Sequence, residues 1–397
     1  MPYRVLMIAP TSFFLDYGCH VRILEEARIL QQRGHRVKIV TYPIGNNVPD
    51  LDIERTLPIP FRPRQQVGPS RSKVLIDALL ALKTLQVALR FKPNVIHGHL
   101  HEGALIGGVL SRLMRVPLVF DLQGSATSEL ADHRFVSPNS PILSIIRALE
   151  WHIDRLPDAI LTSSYNAAQM LASDFAVAPS KTTVLLDCVH SDQFEPVSDG
   201  LRAEQMRDLQ ARLNIPPERH IVVYIGLLDE YRGIGVLLDA AAQLVRRGVD
   251  AHFVIIGFPN VVRYQARAQE LGISERVSFP GRVPYEQAPL WLSLGDVAVE
   301  PKMSATEAAG KVLNYMAMAL PIVAFDIPVM RDYLGELGVY APLGDATAFA
   351  NQIQQLLADR ERARAIGQAL RVRAQECYSW EHAGQEIERV YERVLAR

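Results

Sequence analysis

Short apolar runs alternate with longer helical segments along most of this chain, and the alternation limits the fold more than any other feature. The run YRVLMIA at residues 3–9 is apolar on both faces, as expected for a strand buried in a parallel sheet. A helix is predicted over 21–32 and a second strand over 35–42. Strands that alternate with helices of ten or more residues predict a doubly wound α/β sheet.

The alternation occurs twice, with a break between the two series. Residues 191–217 are polar, charged and proline-bearing, so we predict a linker there. The N-terminal domain is predicted over 1–190 and the C-terminal domain over 218–375. A chain of 397 residues is long enough for two such cores. The segment 376–397 is predicted to carry an amphipathic helix that returns to the first domain.

Composition and targeting signals favour an intracellular enzyme. The cysteines Cys19, Cys188 and Cys377 are far apart, so neither a disulfide framework nor a zinc site is predicted from them. A formal net charge of -1 argues against a general polyanion binder, and no nucleic acid is expected as a partner. We see no signal peptide and no membrane-spanning run. The expected location is therefore the cytoplasm.

Glycines between a strand and the next helix mark candidate ligand sites, because parallel sheets bind ligands beyond the carboxyl ends of their strands. Gly18 follows the first strand and lets backbone amides approach a phosphate or sugar. In the second series Arg232 follows Gly226 by six residues and can reach a diphosphate. A plain turn glycine and a solvated surface arginine are the competing interpretations of these two residues.

The segment 307–314 combines an acid, a glycine and a lysine at a predicted helix start. Gly310 precedes amides of Lys311 and Val312 that have no partner inside the helix, so an anion is favoured there. Lys311 adds positive charge. Glu307 lies just outside and is suited to accept hydrogen bonds from sugar hydroxyls. An ordinary capped helix explains the same residues.

Three histidines follow one another at a spacing of two, which on an extended segment places His97, His99 and His101 on one side. Such a group can ligate zinc. We find no matching fourth ligand, and we favour a polar lining of the cleft between the domains by His99, His101 and Glu102. No metal site is predicted.

Five segments taken together resemble the retaining glycosyltransferases of family 4. They are GCHVRILEEARILQQRGHRVKIVTY, PNVIHGHLHEGALIG, YIGLLDEYRGIGVLLDA, RVSFPGRVPYEQAPLWLSLGDVAVEP and NYMAMALPIVAFD, in the family's order. The resemblance implies the GT-B fold, in which two Rossmann-like domains face a central cleft. The N-terminal domain would bind the acceptor and the C-terminal domain the nucleotide-sugar donor.

The resemblance also assigns roles to residues. Arg232 stands where the family has a diphosphate-binding lysine, and Val283 would frame the nucleobase through its backbone. The amides of Gly310, Lys311 and Val312 would bind phosphate, and Glu307 would bind the transferred sugar. The further donor residues are the strand-end glycines Gly18 and Gly257 and, at the position of a ribose-binding glutamate, Asn314.

Three positions depart from the family pattern. Leu227 replaces a phosphate-binding arginine, and Asn314 replaces the second glutamate of the Glu-x7-Glu motif. Counting back from Asn314 puts Glu307 one residue out of register, which implies a shorter loop. Gln123 stands where many members have a histidine close to the reacting carbon. An amide there can bind a hydroxyl but cannot act as an acid or base.

The function implied is transfer of a sugar from a nucleotide diphosphate sugar to an acceptor hydroxyl, with retention, in glycan, glycolipid or polysaccharide synthesis. The enzyme class is a glycosyltransferase of EC class 2.4, with no cofactor and no metal. The alternatives are a GT-B nucleotide-sugar epimerase and a non-catalytic nucleotide-binding protein of the same fold.

Peripheral membrane contact is a separate possibility for the segment 55–92. The segment has eight arginines and lysines against a single acid, Asp77, beside an apolar helix. Such a stretch can rest on anionic lipid, where lipid-linked acceptors are found. The helix is apolar on nearly all sides, however, which favours its burial against the sheet.

Overall fold

The chain forms two compact units. The computed structural model describes residues 2–14, 18–58, 73–125, 127, 140–196, 200–304 and 310–396. The first unit comprises Met1–Leu186, Thr306–Ala308 and Trp380–Arg397, and the second comprises Asp187–Ala305 and Ala309–Ser379. The predicted linker region 191–217 lies in the second unit and contains a helix, Gly200–Arg212.

The first unit is built on a seven-stranded sheet in which all strand pairs are parallel, in the order β3-β2-β1-β4-β5-β6-β7. Its strands are β1 (Arg4–Ala9), β2 (Arg36–Thr41), β3 (Ile53–Arg55), β4 (Val95–His99), β5 (Leu118–Leu122), β6 (Ala159–Thr162) and β7 (Thr182–Val184). The order reverses between β1 and β4. This confirms the predicted doubly wound sheet, and the reversal places the carboxyl ends of β1 and β4 where such sheets bind ligands.

Helices connect most of the successive strands of the first unit, except β2 and β3. They are α1 (Gly18–Gln32), α2 (Lys73–Phe91), α3 (Leu100–Met114), α4 (Pro141–Ile153) and α5 (Tyr165–Ser173). A buried apolar cluster joins Leu6 of β1 and Ile96 of β4 to Leu80 of α2 and Leu110 of α3. Burial of these side chains supplies most of the free energy that fixes the helices on the sheet.

The helix α14 (Trp380–Leu395) completes the first unit by packing against α1. Gly384 allows the close approach, because a Cβ atom there would lie 2.7 Å from side-chain atoms of both Ile29 and Arg33. The guanidinium of Arg33 also contacts Glu388 at 2.5 Å. The first unit therefore consists of segments that are distant in the sequence.

The second unit is built on a six-stranded parallel sheet in the order β10-β9-β8-β11-β12-β13. Its strands are β8 (His220–Leu227), β9 (Ala251–Phe258), β10 (Val277–Gly281), β11 (Val297–Glu300), β12 (Ile322–Phe325) and β13 (Val339–Ala341). Its helices are α6 (Gly200–Arg212), α7 (Ile234–Arg246), α8 (Val261–Glu270), α9 (Ala288–Leu292), α10 (Lys311–Ala317), α11 (Pro328–Leu334), α12 (Ala346–Ala358) and α13 (Arg360–Cys377). The order reverses between β8 and β11, so these strands mark the expected ligand edge.

The sequence pattern predicts a helix that starts near residue 104 and the packing of the apolar helix α2 against the sheet, and the structure confirms only the second prediction. Helix α3 begins at Leu100 and not near residue 104, because Leu100 takes a left-handed conformation with φ 57° and turns the chain from β4 directly into the helix. Helix α2 packs against the sheet through one face and leaves the opposite face exposed. Val74, Leu75, Leu82 and Leu89 are each more than half exposed, since the sheet covers only one face of the helix.

A search of the helices in the described part of the chain found none with the length and apolar character needed to cross a lipid bilayer.

Candidate functional site

Two glycines bring the ends of β8 and β9 close together in the second unit. Gly226 and Gly257 are register partners with φ of 154° and 152°. A Cβ atom on Gly257 would lie 1.7 Å from the carbonyl oxygen of Gly226, so no side chain fits there. The predicted donor residue Gly257 therefore belongs to a turn of bare backbone at the carboxyl edge of the sheet, where a ligand can approach closely.

A buried charge pair lies beside this turn, between β8 and β11. The Nζ atom of Lys311 is 3.1 Å from the carboxylate of Glu300, which is fully buried at the end of β11. Lys311 Nζ also donates to the hydroxyl of Tyr224 at 2.9 Å. That hydroxyl in turn donates to the carbonyl of Leu227 at 2.8 Å. The ammonium of Lys311 is thus held at the point where the strand order reverses.

Two tyrosines connect this charge pair to the backbone of β8. The amide of Ile225 donates to the hydroxyl of Tyr315 at 2.9 Å, and Tyr224 binds Leu227 as described. Burial, and after it the charge of Glu300, raises the pKa of both tyrosines well above the ordinary value. Both hydroxyls therefore keep their protons. The network fixes the glycine turn relative to α10.

Arg232 lies in a short 3-10 turn, Glu230–Arg232, after β8. Asp229 starts the turn by accepting a hydrogen bond from the amide of Glu230 at 2.7 Å. Gly233 closes it with φ 72°, and a Cβ there would lie 1.9 Å from the carbonyl oxygen of Pro301. Since Pro301 directly follows Glu300, the turn of Arg232 lies against the loop that leaves β11.

The other predicted donor residues surround the same edge. Gly310 precedes α10, and a Cβ there would lie 2.7 Å from the carboxylate of Asp187. Val312 has a fully buried side chain, so only its backbone is available to a ligand. Asn314 is half-buried in α10, and Val283 is half-buried after β10. Glu307 lies outside the described residues.

In the first unit, a second cluster of charged groups lies at the ends of β4 and β5. Arg22 contacts both oxygens of Asp121, with Nε at 3.0 and 3.1 Å and Nη2 at 2.8 Å. His99 Nδ1 is 3.1 Å from the same carboxylate. Gln123 donates to it at 2.7 Å. Burial would raise the pKa of Asp121, but Arg22 and His99 outweigh it and hold that pKa far below its usual range.

The amide group of Gln123 is therefore bound to the carboxylate of Asp121. Gly18, the second predicted residue of this edge, is the first residue of α1. Two residues later, His20 bonds to the hydroxyl of Thr11, which follows β1. The start of α1 is thereby fixed to the end of the first strand.

The expectation that three imidazoles share one side was wrong. His97 and His99 lie on β4, where their rings stack at 4.6 Å, but His101 lies in α3 because the helix starts at Leu100. His97 Nδ1 is 2.7 Å from the hydroxyl of Tyr391 in α14. Burial lowers the pKa of His97 well below its ordinary value, so the ring is neutral.

His101 and Glu102 have partners of their own. His101 Nε2 is 3.3 Å from Glu150 and 3.4 Å from Asp154. Burial alone would lower the pKa of His101, but Asp154 and Glu150 raise it to about 10. Glu102 forms an ion pair with Lys73. The acceptor-lining role predicted for these residues stays a prediction.

Several residues of these networks were not predicted as site residues. Glu300 ends an apolar run, VAVE, and a charged residue at the end of a buried strand was the available signal. Tyr224 lies within the strand run of β8 and gives no signal of its own. Arg22 and Asp121 are 99 residues apart in the sequence. Only the fold brings such pairs together.

The family models and the similar proteins of known function are all glycosyltransferases. The family model described as Glycosyltransferase Family 4 matches residues 18–193, and the model described as Glycosyl transferases group 1 matches residues 205–373. A phosphatidyl-myo-inositol mannosyltransferase of Mycobacterium leprae is 25% identical over 98% of this chain and 97% of that protein. An alpha-D-kanosaminyltransferase of Streptomyces kanamyceticus is 29% identical over 72% of this chain and 73% of its own.

Solved structures match the whole chain as well. A sucrose-phosphate synthase from Thermosynechococcus elongatus superimposes with a TM-score of 0.84 at 20% sequence identity, over 99% of both chains. At 20% identity this similarity is evidence about the fold alone. It extends through both units.

Proposed function

The chain belongs to glycosyltransferase family 4 and has the GT-B fold, and on this premise we propose that it transfers a sugar from a nucleotide diphosphate sugar to an acceptor hydroxyl with retention of configuration. Family membership makes it a nucleotide-sugar glycosyltransferase, as the sequence predicted. The stereochemistry, the acceptor and the roles of individual residues are the proposed part.

The observation that carries this proposal is the position of Lys311. Its ammonium lies between the ends of β8 and β11, beside the bare backbone of Gly226. Cleavage of the bond between sugar and phosphate leaves negative charge on the diphosphate. A cation already in place where that charge develops stabilises the transition state more than the ground state. Lys311 is therefore assigned to the departing diphosphate.

Other residues complete the proposed donor site. Arg232 adds a second cation from the turn that packs against Pro301. The amides of Gly310 and Val312 bind phosphate oxygens, Asn314 binds ribose, and Val283 frames the base beside the turn of Gly257. Glu307 binds hydroxyls of the transferred sugar. These roles follow the family resemblance, and the convergence of the described residues on one sheet edge supports them.

In the proposed reaction the leaving phosphate takes the proton of the acceptor hydroxyl, on the same face of the sugar. Gln123 then needs only to position a hydroxyl through its carbonyl oxygen, since its amide group is bound to Asp121. Such a step requires neither a protein base nor a resident metal. Its rate depends on electrostatic stabilisation and on orientation of the two substrates.

Substitution of Lys311 by methionine tests the assignment. Lys311→Met keeps the length of the side chain but removes the charge, and we expect turnover to fall by about 10²–10³-fold. Affinity for the nucleoside diphosphate should fall by a smaller factor. Arg246→Met, at the exposed end of α7, is the matched control and should change neither value. Unchanged turnover in Lys311→Met would refute the assignment.

The reaction type needs two further measurements. Proton NMR of the product gives the anomeric configuration, and inversion would contradict the proposed retention. Incubation with donor alone separates a transferase from an epimerase, because only an epimerase rearranges the donor at the transferase rate without an acceptor. The wild-type chain should require the acceptor.

We also propose that the first unit touches membrane surfaces through the exposed face of α2. Leu75, Leu82 and Leu89 share that face, and Arg90 and Lys92 are exposed beside its end. Such a face fits an anionic lipid surface that presents a lipid-linked acceptor. The relative from Mycobacterium leprae is named for a lipid acceptor, which supports the proposal. A cytoplasmic location remains a prediction.

Part of the predicted basic stretch does not contribute to this contact. Arg55 donates to backbone carbonyls of Phe13 and Asn46, at 2.6 and 2.8 Å. Lys83 is 2.6 Å from Glu54, and Lys73 is paired with Glu102. Three cations of the stretch, Arg62, Arg64 and Arg71, lie outside the described residues.

Co-sedimentation with vesicles that contain anionic lipid at low salt tests the membrane contact. The triple variant Leu75→Ser, Leu82→Ser and Leu89→Ser should bind at least about tenfold more weakly, because apolar area is lost from the contact. Leu343→Ser removes a leucine of similar exposure from the second unit and is the control. Equal binding of the wild type and the triple variant would contradict a contact through α2.

A further inference from the structure

His101, Glu150 and Asp154 form a compact cluster in the first unit that the transfer reaction does not use. His101 lies in the first turn of α3, Glu150 lies in the last turn of α4, and Asp154 directly follows that helix. One nitrogen of His101 and one oxygen from each acid all lie within 4.8 Å of one another. The side chains of Glu150 and Asp154 are 1% and 0% exposed, and that of His101 is 12% exposed.

The carboxylate of Asp154 is the unusual member of the cluster. It is fully buried, and apart from the contact with His101 neither of its oxygens has a hydrogen-bond donor in the described part of the chain. Its nearest cationic group is His101 Nε2, at 3.4 Å. Buried carboxylates are normally satisfied by several hydrogen bonds or by a cation, because burial without them costs several kcal/mol. The side chain of Asp154 therefore points toward a place where a cation is expected.

The charges of the cluster lead to the same expectation. With His101 protonated, one positive charge faces two buried carboxyl groups, and burial raises the pKa of Asp154 because no second cation compensates it in the described part of the chain. With a divalent cation and a neutral His101, the charges of the three ligands and the ion sum to zero. Burial of net charge is costly, so the second arrangement is favoured wherever the ion is present.

We propose that His101, Glu150 and Asp154 form a binding site for one first-row divalent cation, of the class of Zn²⁺ and Mn²⁺. One imidazole with two carboxylates is a ligand set that these ions accept, and water would complete the coordination. Binding exchanges the proton of His101 for the ion, and the proton leaves to solvent. The ion would tie the start of α3 to the end of α4.

Groups around Glu150 support such a role, because metal ligands are commonly oriented by further hydrogen bonds. The amide of Thr127 donates to Glu150 Oε2 at 2.9 Å, and the hydroxyl of Thr127 donates to the same oxygen. The other oxygen, Oε1, is the one that faces His101. Glu150 therefore presents one oriented oxygen to the cluster.

A second histidine cluster in the same unit already has a cation beside its carboxylate. Glu26, His97 and His99 also come within 4.8 Å of one another. The guanidinium of Arg22, however, lies 3.0 Å from Glu26 and contacts Asp121, the partner of His99. A cation is thus already present, and a divalent ion would be repelled. The inference is confined to His101, Glu150 and Asp154.

Titration of the full-length chain with metal tests the proposal without measuring catalysis. The protein is treated with EDTA, dialysed, and titrated with Zn²⁺ and with Mn²⁺ in a calorimeter, and thermal unfolding is followed with each ion. We expect saturable binding of one equivalent and a higher Tm in the presence of the ion. Absence of saturable binding of both ions by the wild-type chain would overturn the proposal.

Asp154→Asn is the decisive variant, because it keeps the shape of the side chain and removes its charge. Without metal the variant should still unfold cooperatively, and its Tm is the baseline against which the effect of the ion is measured. The shift caused by metal should disappear. His152→Ala removes an exposed histidine of α4 and should keep the full shift. Metal binding that survives in Asp154→Asn, or that disappears in His152→Ala, would overturn the assignment.

Co²⁺ gives an independent answer if Asp154→Asn does not fold. In the wild-type chain, intense visible absorption from four- or five-coordinate Co²⁺ would support a site built from protein ligands. A Co²⁺ spectrum that is unchanged by addition of the protein would overturn the proposal. Neither readout depends on glycosyl transfer, so failure of the metal site and failure of the proposed function are distinguishable.

Discussion

Each unit has a fully buried carboxylate at the end of a parallel strand, and the two carboxylates are compensated in different ways. In the first unit the carboxylate of Asp121 lies beside Arg22, whose guanidinium contacts both of its oxygens. In the second unit Glu300 is compensated by the ammonium of Lys311, through one oxygen at 3.1 Å. Both cations come from helices. Arg22 binds Asp121 through several bonds from a planar, forked group, whereas Lys311 faces Glu300 as a single point charge.

The difference indicates different tasks for the two pairs. Arg22 also donates to the carbonyl of Leu185 at 3.0 Å and is 5% exposed, so its planar group joins three parts of the first unit. Lys311 is 15% exposed and carries its charge on a flexible stem. The ammonium of Lys311 can turn toward a phosphate oxygen on its flexible stem, whereas the guanidinium of Arg22 is held at once by Asp121, Glu26 and Leu185. We infer that Arg22 holds the scaffold and that Lys311 serves the donor.

The largest effect is expected from breaking the first pair. Arg22→Met leaves Asp121 buried without its cation, and the free energy of unfolding should fall by about 3–5 kcal/mol. Hydrogen exchange of the β4 and β5 amides reports this loss within the first unit. Arg28→Met, on the same helix but with 33% of its side chain exposed, should cost less than about 1 kcal/mol. Equal effects of both variants would contradict a scaffold role for Arg22.

A smaller loss of stability is expected from the corresponding change in the second unit. Lys311→Met leaves Glu300 without its cation, but Lys311 is more exposed than Arg22, at 15% against 5%, and contacts the carboxylate through one oxygen, so less is lost. The opening free energy of the β8 and β11 amides should fall by about 1–2 kcal/mol, less than half of the effect of Arg22→Met. Loss of activity should dominate in this variant. A loss of stability as large as that of Arg22→Met would remove the distinction between the two pairs.

A buried histidine close to two arginines sharpens the comparison. Burial, and then the charges of Arg219 and Arg276, lower the pKa of His252 in β9 to about 4. The unfolded chain then binds a proton on His252 below about pH 6.5, while the folded chain does not. Stability is therefore lost as the pH falls from about 6.5 toward 4.

His252→Gln should abolish that part of the pH dependence. Between pH 7 and pH 5 the wild type should lose about 2 kcal/mol more stability than His252→Gln, measured by urea unfolding at each pH. His382→Gln, an exposed histidine of α14, is the control and should behave like the wild type. Parallel pH profiles of the wild type and His252→Gln would show that the imidazole titrates normally in the folded chain.

The smallest effect is expected from Glu300→Gln. The glutamine keeps the shape of the buried side chain, and the ammonium of Lys311 can reach water, so stability should change by less than about 1 kcal/mol. Asp121→Asn, the equivalent change in the first unit, should cost more because Arg22 is nearly fully buried. Hydrogen exchange that increases more in the second sheet of Glu300→Gln than in the first sheet of Asp121→Asn would contradict this order.

The sequence predicted the sheets well, because buried parallel strands appear as continuous apolar runs. It did not predict β3, whose three residues Ile53–Arg55 carry two charges. It misplaced the start of α3, because the left-handed conformation of Leu100 has no signature in the residue itself. It also gave no sign that one face of α2 stays exposed, since the neighbours of a helix decide which face is covered.

Candidate site residues were predictable where one residue carries its own signal. Gly257 and Lys311 lie beside strand ends, where a glycine or a charged residue can be recognised from the sequence alone. The pairs Arg22 with Asp121 and Lys311 with Glu300 were not predictable, because each depends on strands and helices meeting at one edge. The prediction that His101 lies beside His97 and His99 failed for the same reason, because the left-handed turn at Leu100 places His101 in helix α3.

The return of α14 to the first unit has a consequence for the order of events during synthesis. The ribosome makes β1 to β7 first, but Tyr391, the partner of the buried His97, and Gly384, which lies against α1, follow roughly two hundred residues later. Until then the surface of α1 that receives α14 is uncovered. The first unit to be translated is therefore the last to be completed, and a chain released early would expose apolar surface to chaperones and proteases.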